Sequence, residues 1–159
     1  QYEKVDYKNL VKTDKVFACG DKVIDYAFVE DFILSLEEKY GVQIQAIGYD
    51  RWNAISTAQK LEKAGYNLVE IRQHSSVLHS PAKRLKEAIL SEHFRYSENK
   101  LLEINFQNSR CVRDTNLNLY VNKKKSKGKI DMVVSMINAI YLLEQDYFLN
   151  QADFLIQTI

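Results

Sequence analysis

The sequence is poor in the residues that mark several protein classes. It contains one proline and five glycines, which excludes a collagen-like chain or a long flexible linker. Its two cysteines, Cys19 and Cys111, form no CxxC pair. They favour buried thiols in a reducing compartment over a disulfide framework or a zinc site, with a single disulfide as the alternative. No apolar run approaches the roughly 18–20 residues that a membrane span needs, so no membrane partner is expected.

The charge balance is nearly even, with 22 Lys and Arg against 21 Asp and Glu. Nucleic-acid binding would therefore need a local basic patch. A length of 159 residues with 46% hydrophobic and 27% charged residues is typical of one globular domain. We therefore expect a single domain over 1–159 with an apolar C-terminal tail at 144–159. The chain begins with Gln1, which favours a piece of a longer protein.

Strand and helix patterns alternate in the first half of the chain, which predicts parallel βαβ units and an α/β fold. Asp25 is the expected N-cap of the first helix, and Gly41 its expected end. The dipeptide Ser80-Pro81 predicts a helix start. In chain order we expect strands at 15–19, 44–49 and 67–72, helices at 26–40, 52–64, 81–91 and 101–109, a hairpin over 111–122 and a last helix that starts near 130.

Asp50 is a candidate functional residue because it follows a predicted strand, and the carboxyl ends of parallel strands form the functional edge of such sheets. The alternative is that Asp50 is simply the N-cap of the following helix. Asp131 opens the last helix, where a carboxylate often only complements the helix dipole. If the fold brings both acids together, their oxygens suit hard divalent cations and two-metal phosphoryl chemistry.

A basic loop precedes Asp131. Its five lysines repel one another, so the loop is expected to be exposed and mobile. It is either a solvated surface loop or a sequence-independent contact to DNA phosphates. The five residues are Lys123, Lys124, Lys125, Lys127 and Lys129.

Other candidates have simpler interpretations. Ser80-x-x-Lys83 matches a Ser/Lys nucleophile pattern, but a helix cap explains Ser80 better. His74 and Gln73 follow a strand and are candidates for the same edge as Asp50. The aromatic residues Trp52, Tyr49 and Phe106 are predicted to be core residues rather than base-stacking platforms.

These residues together resemble the C-terminal nuclease domain of the large terminase subunit of tailed bacteriophages. The resemblance covers about residues 23–143. It depends on an ordered set of segments: Val23-Ile24-Asp25-Tyr26, Ile47-Gly48-Tyr49-Asp50-Arg51-Trp52-Asn53-Ala54, Arg72-Gln73-His74, Ser80-Pro81-Ala82-Lys83, Asn108, the lysine-rich loop and Lys129-Ile130-Asp131.

The resemblance implies a ribonuclease-H-like mixed sheet flanked by helices and a metal-dependent endonuclease that cuts concatemeric double-stranded DNA. Asp50 and Asp131 match two of the family's metal-binding catalytic acids, which hold two Mg²⁺ or Mn²⁺ ions. The loop lysines would contact DNA. The implied partners are an upstream ATPase domain of the same polypeptide, the portal and the small terminase subunit. The implied location is the cytoplasm of a bacterial host, in a phage or prophage context.

One element of the family pattern is missing. The family's first catalytic aspartate lies on an opening strand that we do not find here, so we expect that the first strand or strands are absent and that the isolated chain is weak or inactive. An exposed sheet edge would then remain. The alternatives are a non-catalytic DNA-binding or protein-docking module, or another ribonuclease-H-like nuclease or recombinase.

Overall fold

The computed structural model describes residues 5–13, 16–52 and 54–145. The chain divides into two compact units, Gln1–Glu70 and Ile71–Ile159. Most of the predicted C-terminal tail, residues 146–159, lies outside the described residues. None of the described helices is long and apolar enough to cross a bilayer.

The first unit is built from α1 (Tyr7–Lys12), α2 (Tyr26–Tyr40), β1 (Ile47–Tyr49), α3 (Ile55–Lys63) and β2 (Leu68–Glu70). The strands β1 and β2 pair in parallel, with Ile47 opposite Leu68 and Tyr49 opposite Glu70. The predicted parallel βαβ unit is therefore confirmed, with both strands shorter than expected.

Helix α2 has the ends that the sequence predicts. The Asp25 carboxylate accepts hydrogen bonds from the backbone N–H groups of Ala27 and Phe28, at 3.0 and 3.4 Å. Gly41 ends the helix at φ 62°, a left-handed conformation that side chains disfavour. Both ends depend on local chemistry, which explains why they could be read from the sequence.

The strand predicted at 15–19 is wrong for the residues that the structure describes. Residues 16–20 form a bend and irregular chain. Phe17 packs on α2 instead, with its ring centroid 5.0 Å from that of Phe32. Apolar residues form a strand only where a neighbouring strand takes their backbone hydrogen bonds, and none of the described strands pairs here.

An ion pair between the buried Glu30 and the exposed Lys60 joins α2 to α3. Glu30 is buried, and its two carboxylate oxygens accept hydrogen bonds from the Thr57 hydroxyl and the Lys60 ammonium, each at 2.9 Å. The hydrogen bond from Lys60 lowers the pKa of Glu30 below its ordinary value, although burial opposes it. The contact fixes the two helices together because an unpaired buried carboxylate would be costly.

The second unit contains α4 (Ser75–Leu90), α5 (Lys100–Asn108), β3 (Cys111–Arg113), β4 (Leu119–Val121) and α6 (Asp131–Glu144). Strands β3 and β4 pair antiparallel, as the hairpin prediction requires. A core of Ala82, Leu85, Val133 and Ile137 joins α4 to α6. Phe106 packs against this core, which confirms its predicted place.

Helix α4 begins six residues before the predicted start. Its N-cap is His74, whose Nδ1 accepts from the Ser76 N–H at 3.3 Å. Pro81 lies inside the helix and is fully buried, and Ser80 is exposed there, so the interpretation of Ser80 as a cap is wrong. An interior proline removes one helical hydrogen bond. Leu78 packs against the same core cluster as Ala82 and Leu85, so the buried face already extends N-terminal to Pro81.

The hairpin turn is organised by Asp114. Its carboxylate accepts from the Ser75 hydroxyl at 2.6 Å and from the backbone N–H groups of Asn116 and Asn118 at 2.8 and 2.9 Å. The hydrogen bonds from Ser75 and then from the Asn118 side chain lower the pKa of Asp114 to about 2. At the other end, the Leu119 N–H donates to His79 Nδ1 at 2.7 Å. Helix α4 therefore holds the hairpin at two points.

Both cysteines are free thiols. Cys19 is partly buried and Cys111 is exposed, so the expectation of a buried thiol is wrong for Cys111. Strand β3 carries it with the burial pattern of an edge, in which only the middle residue, Val112, is partly covered.

Candidate active site

Asp50 lies directly after β1 and is partly buried. Its Oδ1 accepts a hydrogen bond from the backbone N–H of Trp52 at 3.3 Å, which closes a short turn of the kind that aspartate favours. Helix α3 starts at Ile55, and its N-cap is Ala54, with no side-chain cap. The interpretation of Asp50 as a helix N-cap is therefore wrong, and its carboxylate is placed at the end of the strand.

Glu70 is a second acid at this edge that the sequence analysis missed. It ends β2 and is the register partner of Tyr49, the residue before Asp50. Its Oε1 lies 4.0 Å from the Arg51 Nε, a loose and exposed ion pair that contributes little to stability. The sequence could have indicated Glu70, because it lies near the end of the predicted strand 67–72 that follows the strand before Asp50.

Asp131 is the first residue of α6 and is exposed. The N-cap, Ile130, has no side chain that can bond the free amides. The buried Asn105 of α5 supplies this bond instead: its Oδ1 accepts from the Met132 N–H at 3.2 Å, and its Nδ2 donates to the Leu101 carbonyl at 2.9 Å. The start of α6 is therefore fixed by a side chain of another helix.

Asn108 fixes the chain just before Asp131. Its Nδ2 donates to the Lys129 carbonyl at 3.1 Å, and its backbone carbonyl accepts from the Lys127 N–H at 3.1 Å. Residues 105 and 108 lie one turn apart on the same face of α5. In the sequence Asn108 stands only among the segments that carry the resemblance, and no motif marks Asn105. The available signal was a pair of asparagines at helical spacing among apolar residues.

The five lysines of the loop are exposed, as predicted. The loop ends are anchored rather than loose. Asn122 Oδ1 accepts from the Lys125 N–H at 3.1 Å, and the Ser126 hydroxyl oxygen accepts from the Arg110 N–H at 3.2 Å. The loop therefore presents its ammonium groups from a turn tied to β4 and to the end of α5, immediately before Asp131.

A pocket of about 220 Å³ lies in the second unit, among α4, β4 and α6. Gln73, His74 and Lys123 supply polar groups to its wall. Gln73 Nε2 also donates to Asn138 Oδ1 of α6 at 3.2 Å. Val134, one turn after Asp131, lines the same pocket. Gln73 and His74 thus line a pocket beside the helix that Asp131 opens.

The predicted acids belong to different units, Asp50 to the first and Asp131 to the second. Their convergence stays a prediction. Within the described ranges 5–13, 16–52 and 54–145, no group of three or more His, Cys, Asp or Glu side chains is arranged to hold a metal ion. Two carboxylates provide the oxygen donors that Mg²⁺ and Mn²⁺ prefer, so the residues fit such an ion chemically but supply only part of a ligand set.

The same fold occurs in phage terminases. The crystal structure of the HK97 bacteriophage large terminase superimposes with a TM-score of 0.78 at 21% identity, over 87% of this chain and 29% of that chain. The large terminase nuclease from thermophilic phage G20c gives a TM-score of 0.57 at 20% identity, over 74% of this chain and 62% of that one. The chain therefore has the α/β, ribonuclease-H-like fold class that the resemblance implied, and it spans less than two thirds of either relative.

The family follows from the sequence itself. The family model described as "terminase large subunit, endonuclease domain" matches residues 1–146. The chain belongs to this family, which confirms the resemblance and makes it a terminase nuclease domain. No curated protein matches the sequence.

Proposed function

We propose that this chain is the part of a large terminase that cuts concatemeric double-stranded DNA during viral packaging, by two-metal phosphodiester hydrolysis. The observation that supports this most directly is the placement of Asp131, which α5 holds at the start of α6 through Asn105 and Asn108, immediately after five exposed lysines. An acid and a phosphate-binding surface are thereby adjacent in one unit.

Asp50 and Asp131 would hold the ions, which are Mg²⁺ or Mn²⁺. Asp50 lies at the end of a strand and Asp131 at the start of a helix. Neither carboxylate caps a helix. The bound ions would supply a polarised water and neutralise charge on the phosphodiester. Lys123, Lys124, Lys125, Lys127 and Lys129 would bind the DNA backbone, which gives salt-dependent affinity without sequence preference.

We further propose that the 159-residue chain binds these ions weakly and cleaves slowly or not at all. The reason is the donor set: the described residues contain no group of three acidic, histidine or cysteine side chains at one place. Glu70 ends the strand beside Asp50, and evidence that it binds the same ions as Asp50 and Asp131 would contradict this part of the proposal.

The remaining assignments follow from the family. We propose that the two units form one nuclease domain, since the family model spans both. We propose that it acts with an ATPase domain of the same polypeptide, the portal and the small terminase subunit, in the cytoplasm of a bacterial host that carries a phage or prophage.

The test is a Mn²⁺ titration and a plasmid-nicking assay on the wild type, Asp50→Ala, Asp131→Ala and the double variant. If the two acids share ions, each single variant weakens Mn²⁺ binding and the double variant is little worse than either one, because contacting residues are non-additive. Any nicking should be lost in both single variants. Independent, additive losses would contradict a shared site, and unchanged nicking would contradict both assignments.

The second candidate is a DNA-binding module without catalysis, and the exposed, anchored lysine loop favours it. Duplex DNA binding that weakens with salt, together with Mn²⁺ binding that does not depend on Asp50 or Asp131, would support this candidate and contradict the nuclease.

A further inference from the structure

Trp52 is the single tryptophan of the chain, and it is the most exposed aromatic residue that the structure describes. Its exposed fraction is 79%, against 57% for Tyr40 and less for the other exposed aromatics. The prediction that it is a core residue is wrong. Isolated apolar side chains are common on protein surfaces, so exposure alone assigns no role to Trp52.

The position of Trp52 is what distinguishes it. Its backbone N–H donates to Asp50 Oδ1 at 3.3 Å, so the indole and the candidate metal ligand belong to one turn at the carboxyl end of β1. Helix α3 starts three residues later, at Ile55, and Trp52 therefore projects from the connection. Ligands of open α/β sheets bind at this edge.

The neighbouring side chains also suit a nucleic acid. Arg51 is 64% exposed, and among the described residues its guanidinium pairs only with Glu70, at 4.0 Å, which leaves donors for a phosphate. A phosphodiester that reaches the Asp50 carboxylate brings the flanking nucleotides of the same strand past Trp52, two residues away. A flat indole face can stack on any base that is free of the duplex stack, so such a contact needs no particular sequence.

We propose that Trp52 is a DNA-binding residue that stacks its indole on a nucleobase of the strand bound at the Asp50 edge and so positions the phosphodiester. The proposal rests on the proposed function, because it requires DNA at this edge. It differs from the role of the lysine loop, since the indole contacts a base and the lysines contact phosphates.

The fluorescence of Trp52 tests the contact directly, because the 159-residue chain contains no other tryptophan. The chain is titrated in the presence of Ca²⁺, a divalent cation that also takes oxygen ligands, with a single-stranded oligothymidylate, with a duplex of equal length and with heparin, a polyanion without bases. Saturable quenching by either form of DNA but not by heparin is expected. Equal quenching by heparin overturns the proposal, as does unchanged emission while fluorescence anisotropy of labelled DNA shows binding.

Three variants separate stacking from a general loss of structure. Trp52→Ala should weaken binding of the single strand about five- to a hundredfold, and Trp52→Phe should retain most of the affinity. Tyr40→Ala is the matched control, an exposed aromatic at the end of α2, and should bind as the wild type does. The salt dependence should stay unchanged in Trp52→Ala, because no charge is lost.

The outcomes distinguish this proposal from the proposed function. Wild-type binding that depends on the loop lysines, with equal affinity in Trp52→Ala, overturns only the role of Trp52. Absence of DNA binding by the wild type, with its fold confirmed by circular dichroism, overturns both.

Discussion

Among the described residues, two polar side chains are buried, one in each unit, and they have different consequences. Glu30 in the first unit joins α2 to α3 through Thr57 and Lys60, and neither of these hydrogen bonds involves the turn that carries Asp50. Asn105 in the second unit bonds the first turn of α6, which starts with Asp131. In the second unit the helix start that carries the candidate ligand therefore depends on a buried side chain.

This difference suggests that the two candidate acids are held in different ways. Asp131 is fixed by the packing of α5 against α6, so damage to the core should also damage the site. Asp50 is fixed by the end of β1 and a single 3.3 Å hydrogen bond, so its site should tolerate changes elsewhere in its unit. The four predictions below test this contrast, from the largest expected effect to the smallest.

Asn105→Ala should reduce the free energy of unfolding by about 2–3 kcal/mol, because the Met132 N–H loses its acceptor and a buried space is left. Urea denaturation measures this loss. The same variant should weaken Mn²⁺ binding. The matched control is Asn99→Ala, which removes the cap at the other end of α5. It should cost about 1 kcal/mol and leave Mn²⁺ binding unchanged. A loss of less than about 0.5 kcal/mol for Asn105→Ala would contradict the link between protein stability and the start of α6.

The triple variant Lys123→Gln, Lys124→Gln, Lys125→Gln should weaken duplex binding about tenfold near physiological salt and lower the slope of log affinity against log salt by about two to three. Fluorescence anisotropy over a salt series measures both. The control neutralises three exposed lysines of the first unit, Lys8, Lys12 and Lys63. If the control lowers the slope as much as the loop variant does, the second unit has no special part in phosphate binding.

The Asp114 carboxylate should make the second unit sensitive to acid. Its pKa falls to about 2 in the folded state from an ordinary 3.8. A lowered pKa stabilises the fold above the ordinary value, and this stability is lost as the pH falls from about 4 to 2. Asp114→Asn should be less stable at neutral pH and should lack that acid-sensitive range. Ser75→Ala should raise the pKa in a carboxyl NMR titration, and an unchanged titration would contradict the assigned cause.

The smallest expected effect is the loss of stability when Glu30, the buried carboxylate of the first unit, is replaced. The Lys60 hydrogen bond lowers the pKa of Glu30 below its ordinary 4.5. Its stabilising contribution is present above pH 4.5 and is lost below it, as the pH falls through the folded pKa. Glu30→Gln should therefore be less stable at neutral pH, with Mn²⁺ binding unchanged. Glu62→Gln, an exposed acid on α3, is the control. A loss of Mn²⁺ binding in Glu30→Gln would contradict the contrast between the units.

The sequence was sufficient where neighbouring residues decide the conformation. The Asp25 cap, the Gly41 end of α2 and the turn of the β3–β4 hairpin depend on short-range hydrogen bonds and turn conformations. The family was also recognisable, because its motifs occur in order along the chain. The exposure of the five loop lysines followed from their mutual repulsion and from the cost of burying charge.

Predictions failed where distant residues decide. Ser80-Pro81 looked like a helix start, but the apolar face of α4 packs on α6 and extends the helix back to Ser75. The apolar residues at 15–19 looked like a strand, yet Phe17 packs on α2. Trp52 looked like a core residue because of its type, and its place on the connection after β1 leaves it exposed. In each case the packing of distant parts of the chain decides the outcome, and the local sequence does not show that packing.

The sequence by itself therefore determined the family, both ends of α2 and the candidate acids, because these depend on residue type and short-range spacing. The tertiary structure alone decided that Asn105 of α5 caps the helix of Asp131 and that Asp50 caps none. Such contacts join residues that are far apart along the chain, and only packing brings a buried amide to the one backbone N–H that it can satisfy.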